Sequence, residues 1–523
     1  MAATSLTKLH DDILISIISW IAPSDIISLR KTCTQLYDLT HTRIVWTNAC
    51  VRCILAQGYP FKYASLDSLS IVDLEKSTLD AYRLGRRWCS RRLRPRSTGN
   101  YDGLFSSAIS DVRFVPGHGD KWIVTICKSV WSVLTLWDVS EIAGHPPQAH
   151  KKGEWSPKGG IFKNFCLNGD PTSIATLAIA LLYKGTSMLY ILSIRKETVP
   201  FHMVTSFPTH FTPVTLQGDI VVLSDEGSQI SIWNWRTNKH ATLLYPEELK
   251  FTHSQPCYQV LLCPSLNSIL VVRNQSISLF SYPELGASNE PAMTYSPIAQ
   301  HDFGWIDGIT ATLVQPVSTS SCAMPSDEPL HTISLLLRRK NADPWYSDTH
   351  SIEHYILLPN PTYDPEATRS PLQEPTGGTQ TEAKSPHHLP YIFPPFLRSQ
   401  ISSLRGSLGR LLHSSNIILG RNGTAVWINP QDYAAGGLYF DVDDAPFHIA
   451  ARSSERLMAA LFHGPMSRCD RATEGGVDGD VNRVDEWTLC VNDMNNWTAM
   501  DYDENAGRIV IGSASGDLTM VVL

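Results

Sequence analysis

A small all-α module followed by an all-β propeller is the multidomain architecture that this sequence predicts, on three observations. Up to about residue 90 the apolar positions recur at helical spacing. From about residue 100 short β-rich runs alternate with Gly, Asp, Ser and Asn turns. Similar runs then return roughly every 40–60 residues to the end of the chain, the mark of a radial or stacked repeat.

The helical part reads in order. Ile13, Leu14, Ile17, Ile18 and Ile21 follow the spacing of one helix face. Pro23 ends that phrase, and Ser24 or Asp25 can cap the next, which carries Ile26, Leu29, Cys33 and Leu36. A third phrase runs through Val45, Trp46, Ala49 and Cys50, and a fourth lies near residues 70–88 with Leu74, Leu79, Tyr82 and Leu84. Residues 1–50 form one module and residues 51–100 a helical linker with an arginine-rich end. Helices this short cannot bury that much apolar area among themselves, so a partner surface is expected.

The repeats fill residues 101–523 with about seven blades of roughly 60 residues each. Residues 358–396 hold nine prolines and are expected to be a disordered insertion within the propeller. The last run, "WTAMDYDENAGRIVIGSASGDLTMVVL", supplies about three strands before Leu523. A four-stranded blade needs one more, expected from around residues 101–107. "LTLWDV" (134–139) is similar to the ending of a WD repeat, but it appears once, so a degenerate propeller is expected with Trp137 packed against the next blade.

The bulk numbers narrow the function. A chain of 523 residues exceeds one ordinary domain, and 43% hydrophobic with 18% charged residues describes a globular protein. The longest apolar runs, 13–22 and 174–183, stop after ten residues, short of the ~18 a membrane span needs. The opening "MAATSLTKLHDD" lacks the charged and apolar regions of a secretory signal, so a cytoplasmic or nuclear location is expected, with the 11 cysteines as thiols. The sequons at Asn274, Asn422 and Asn496 would then go unused. Residues 1–100 carry 14 Lys/Arg against 8 Asp/Glu, whereas the remainder carries 29 against 42. A basic module on an acidic body suits an acidic partner at the N-terminus.

Several chemical signals resolve to structure. "CVRC" (50–53) lacks the second pair a zinc site needs and reads as core thiols. "RLGRRWCSRRLRPR" (83–96) reads as a solvated or propeller-paired linker face, with a nuclear-import signal as the alternative. Its single aromatic, Trp88, is too little for a nucleic-acid platform. "DVDD" (441–444) reads as a solvated loop. The sequence shows no P-loop, nucleophile elbow or zinc-protease motif, so no catalytic, metal or cofactor residue is assigned.

"LHDDILISIISWIAPSDIISLRKTCTQLYDLTHTRIVWTNA" resembles the F-box, a three-helix module of this length. Leu9, Asp12, Ile13, Leu14, Ile17, Ile18 and Ile21 match its opening helix. Pro23, Asp25, Ile26, Leu29, Arg30, Cys33, Leu36 and Trp46 match its turn, second helix and closing tryptophan. His10 departs from the family's proline, which would pre-set the turn ahead of the first helix.

The resemblance implies docking of these helices to the Skp-type adaptor of a cullin–RING (SCF-type) ubiquitin ligase. The implied docking positions are Leu9, His10, Ile13, Leu14, Ile17, Ile18, Ile21, Ile26, Leu29, Cys33, Leu36 and Trp46. The propeller would then recruit a protein substrate whose identity the sequence does not state. The alternatives are a propeller scaffold without ligase docking, and a propeller hydrolase or ligand-binding protein. A non-catalytic subunit is the expected role.

Overall fold

The computed structural model describes residues 9–63, 65–101, 107–118, 121–140, 148–197, 199–225, 227, 229–245, 256–287, 293–304, 306–314, 331–340, 349–363, 389–405, 417–429, 454–466 and 484–523. Five helices come first: α1 (Asp11–Ile18), α2 (Pro23–Leu29), α3 (Thr34–Leu39), α4 (Arg43–Cys50) and α5 (Ile71–Trp88). Asp11 and Asp12 in the first turn of α1 complement its dipole, and Pro23 opens α2 where its missing N–H is harmless. A π-helical segment, Val51–Leu55, extends α4. Ser70 caps α5 by accepting the Asp73 N–H at 3.1 Å. Among the described residues no helix is long and apolar enough to cross a membrane.

Seven sheets follow, each with a core of four antiparallel strands. Blade 1 runs from Ile109–Phe114 to His150–Trp155, and blade 2 from Ile161–Leu167 to Phe201–Pro208. Blade 3 runs from Thr212–Gln217 to Lys239–Leu244 and gains the short strands Gly286–Ala287 and Thr294–Tyr295. Blade 4 runs from Cys257–Cys263 to Ala299–Asp302, blade 5 from Ile306–Val314 to Phe396–Arg405, and blade 6 from Ile417–Leu419 to Glu486–Asn492. Second strands such as "WIVTICK" and "SILVVR" are buried along nearly their whole length because neighbouring blades cover both faces.

Blade 7 joins the two ends of the repeat. Trp497–Asp503, Arg508–Ser513 and Leu518–Val522 are completed by Ser97–Tyr101, which pairs antiparallel with Leu518–Val522. Closure by distant segments is therefore present, but its strand comes earlier than residues 101–107. The ladder starts as soon as the chain leaves the helices, with Arg96 N donating to Val522 O at 2.7 Å, and residues 97–101 use the whole five-residue edge. Side chains lock the join: Phe114 N donates to Asp501 Oδ2 at 2.7 Å and Arg113 to Met500 O at 2.9 Å. Trp137 belongs to the core shared by blades 1 and 7, with Val510, Leu518 and Met520, rather than facing blade 2 as expected.

The proline-rich interval is not wholly an insertion. Its ends are built into blade 5: Pro359 bridges Tyr391, Asn360 Nδ2 donates to Leu389 O at 2.8 Å, and Tyr391 is fully buried. Tyr391 and Phe393 explain this, since they add to the core between blades 4 and 5, while Ile392 between them is exposed. Residues 364–388 lie outside the described residues, as does "DVDD".

Because neighbouring strands are antiparallel, two kinds of turn gather at each end. Turns joining first to second and third to fourth strands share what we call the lower end. Turns joining second to third strands, and one blade to the next, share the upper end. Contacts between blades agree: Gly169 N donates to Leu216 O below, and Ser132 N to Gly160 O above.

Candidate functional site

The two faces of α1 carry the same residue types and have different fates. Leu14 and Ile18, one turn apart, are 1% and 2% exposed. Ile13 and Ile17, also one turn apart, are 50% and 42% exposed, and Trp20 is 75% exposed one turn further. The Arg52 guanidinium lies 4.0 Å from the centre of the Trp20 ring, and Cys53 Sγ donates to Ile21 O. Those contacts bring Trp20, the far end of the stripe that starts at Ile13 and Ile17, alongside the π-helical segment, which exposes Val51 and Leu55. Tyr37, Ile44 and Val72 are exposed elsewhere on the module, but the stripe is a run of aliphatic and aromatic side chains on successive turns, the mark of a docking surface.

Several positions assigned to docking by resemblance instead build the interior. Leu14, Ile18, Ile26, Leu36 and Trp46 are buried and so are not surface residues. Helices this short meet in a core only if one residue per turn is given to it. Leu9, Ile21, Leu29 and Cys33 are half-buried, and His10 is exposed with Nδ1 3.4 Å from Asp12. Trp20, Val51 and Leu55 were not among the positions assigned. The spacing of Trp20 from Ile13 and Ile17, seven and three residues, continues their stripe into the turn that follows α1.

Polar groups fix the module to α5. The Arg30 fork binds both oxygens of Glu75 at 2.9 and 2.8 Å and also donates to Thr40 O at 3.0 Å. Trp46 Nε1 donates to the same carbonyl at 2.9 Å. Arg43 holds Leu69 O and Leu66 O at 2.7 and 2.6 Å. The "CVRC" thiols lie within this packing, and burial pushes the Cys50 thiol up to about 11, which keeps it protonated.

The other side of α5 is joined to the propeller by a dry seam. Trp88 is fully buried, with its ring 6.4 Å from both Trp487 and Tyr502. Trp487 Nε1 donates to Arg91 O, and Leu93 is buried, so the arginine-rich run is docked through its backbone and Leu93 while Arg91, Arg92, Arg94 and Arg96 stay exposed. A Cβ at Gly507 would meet Leu84 at 2.6 Å, and one at Gly58, where φ is +65°, would meet Pro465 at 2.4 Å. Only glycine permits those approaches. Asn422 Nδ2 donates to Gly58 O at 2.7 Å, and Glu504 accepts Asn422 N at 3.0 Å and Thr424 Oγ1 at 2.5 Å. Burial pushes the Glu504 carboxyl up to about 7. Gly507, Pro465 and Asn422 all belong to lower-end turns of blades 6 and 7. The helical module therefore stands on the lower end, and one core runs from Ile18 through Trp88 to Met500.

A cleft of about 260 Å³ opens at the lower end between blades 1 and 2, lined by His118, Asp170 and Arg195 among others. Its carboxylate is engaged in a turn, accepting Thr172 N and Oγ1. Among the described residues no group of three or more His, Cys, Asp or Glu side chains is arranged to hold a metal ion.

Comparison with known proteins agrees with a separate helical module. The F-box domain family matches residues 6–48. No curated protein matches the sequence. Among solved structures, a chain of a humanized mutant of the Chaetomium thermophilum Polycomb Repressive Complex 2, bound to an inhibitor, is similar over 82% of this chain and 97% of its own. Its identity is 11% and its TM-score 0.47. A chain of an active polycomb repressive complex 2 in the basal state is similar over the same shares, at 12% identity and a TM-score of 0.45.

Proposed function

We propose that this chain, an F-box domain carried on a seven-blade β-propeller, is the substrate-recognition subunit of an SCF-type cullin–RING ubiquitin ligase. It works in the cytoplasm, the nucleus or both. The observation that carries this reading is the uncovered Ile13–Ile17–Trp20 stripe, on a module whose other side is joined to the propeller. The stripe docks the Skp-type adaptor and through it the cullin, while the propeller holds a protein substrate. The chain needs no catalytic group for this role. It raises the concentration of bound substrate near a ubiquitin-charged enzyme, and a stiff seam keeps that geometry fixed.

The test is reconstitution. Purified chain and Skp-type adaptor, mixed at micromolar concentration, should elute together in size-exclusion chromatography. Ile13→Ala with Ile17→Ala should abolish that co-elution without changing thermal unfolding. If the unaltered protein forms no complex, the ligase reading falls and a propeller scaffold takes its place.

A further inference from the structure

The upper end of the propeller, opposite the helical module, carries an exposed apolar patch on blades 1 and 2. Val130 and Trp131 sit on the turn between the second and third strands of blade 1. Ile161 opens blade 2, and Tyr183 ends its second strand. These four side chains are 38% to 81% exposed. The segments that bear them are fastened together. Ser132 N donates to Gly160 O at 2.9 Å, Phe162 N to Ser132 Oγ at 3.0 Å, and Ser156 Oγ to Ser132 O at 3.0 Å. The Tyr183 ring lies 3.8 Å from where a Gly159 Cβ would stand. The patch is thus a built surface rather than four separate loops.

Its rim is cationic. Lys128, Lys158, Lys163 and Lys184 are exposed on the same turns and strand ends. Lys184 Nζ stands 5.2 Å from the Tyr183 ring centre, and none of the four pairs with a carboxylate among the described residues. This rim stands out on residues 101–523, where acidic residues outnumber basic ones 42 to 29. Aromatic and aliphatic anchors beside lysines that meet no carboxylate among the described residues complement a chain that brings an apolar side chain flanked by carboxylates.

We propose that this patch docks an acidic peptide segment bearing an aromatic or aliphatic side chain, supplied by the protein that the propeller recruits. The last clause alone rests on the ligase reading. An anionic membrane would also meet lysines and aromatics, but the rest of the upper end opposes it. Asp225 on blade 3, Asp493 between blades 6 and 7, and Asp517 on blade 7 sit on upper-end turns. The basic and apolar area spans two blades, the footprint of a short extended segment.

The test uses the full chain together with purified adaptor and labelled synthetic peptides. One peptide places a single Trp or Leu among Glu and Asp; its controls replace the acids by Lys, or the apolar residue by Ser. Fluorescence anisotropy should show binding of the first peptide only, weakening as salt rises. Trp131→Ala with Tyr183→Ala should weaken it about tenfold or more. Lys128→Glu, Lys158→Glu and Lys184→Glu together should transfer the preference to the Lys peptide. Circular dichroism melting, expected unchanged, keeps these results separate from unfolding. Equal binding of acidic and basic peptides, or indifference to all five substitutions, overturns the proposal. So does capture by phosphatidylserine vesicles in place of peptide, or self-association that Trp131→Ala removes. Adaptor co-elution is measured on the same samples. Its loss with peptide binding intact sinks the ligase reading alone, and the reverse result sinks the docking proposal alone.

Discussion

The helical module has two apolar surfaces, and their difference defines its role. On one, Leu84, Trp88 and Leu93 meet Trp487, Tyr502 and Leu523 of the propeller and lose almost all contact with solvent. On the other, Ile13, Ile17 and Trp20 have comparable chemistry and stay uncovered. Composition does not separate them. A covered apolar surface contributes to folding in proportion to the area removed from water, whereas an uncovered one holds the same free energy in reserve for a partner. The first sets where the module points; the second gives it something to bind.

Deleting the anchor of the covered surface should have the largest effect. Trp88→Ala removes a fully buried indole and should lower stability by about 3–5 kcal/mol, read from chemical denaturation. Limited proteolysis should then cut between the helices and blade 7. A smaller loss without new cleavage would mean that the seam is not what holds the module in place.

Within α1 the comparison becomes a contrast between neighbours. Leu14→Ala should cost about 2–5 kcal/mol of stability, because its cavity lies in the core. Ile17→Ala should stay within about 0.5 kcal/mol of the unaltered protein, because 42% of its surface is uncovered. For adaptor binding, Ile17→Ala should cost about 2 kcal/mol, roughly thirtyfold in affinity measured by calorimetry. Equal stability losses from both substitutions would erase the distinction between the faces.

Acid should sharpen it further. Glu504 at the seam has its carboxyl raised from 4.5 to about 7, so the folded state takes up a proton that the unfolded state refuses. Its contribution is therefore fully present below pH 4.5 and lost as pH rises through about 7. His354 in blade 5 is buried against Ser334, and burial lowers it to about 3. The unfolded state alone protonates it as pH falls below 6.5, so this group loses stability in acid. Between about pH 4.5 and 6.5 the two slopes oppose. Glu504→Gln removes one of them, so the variant should lose stability on acidification relative to the unaltered protein. Parallel melting curves across that range would contradict the assignment.

The smallest effect is expected where α1 begins. His10 has φ −64°, the value proline imposes, and its side chain is exposed. His10→Pro should raise stability by about 0.4–1 kcal/mol through the unfolded chain, read as a small rise in Tm. A loss would show that the His10 N–H or the residue before it needs freedom that proline denies.

The sequence alone determined the large divisions. Helical spacing up to Trp88 and β-runs returning from residue 100 placed the boundary between the two parts, because periods of 3.6 and 2 come from local backbone geometry. It also determined that the last blade lacked a strand, since three runs cannot complete a four-stranded sheet. It identified the F-box from spaced apolar residues, yet it assigned Leu14, Ile18, Ile26, Leu36 and Trp46 to docking alongside the exposed positions. Periodicity reports that a residue is apolar and on a given stripe. Whether that stripe meets the module's own core or solvent depends on how α1, α4 and α5 cross, and no local pattern encodes those crossings. The same limit explains Tyr391, hidden in a proline-rich stretch until blades 4 and 5 closed over it, and the Val130–Tyr183 patch, whose parts are fifty residues apart and meet only because antiparallel strands return them to one end.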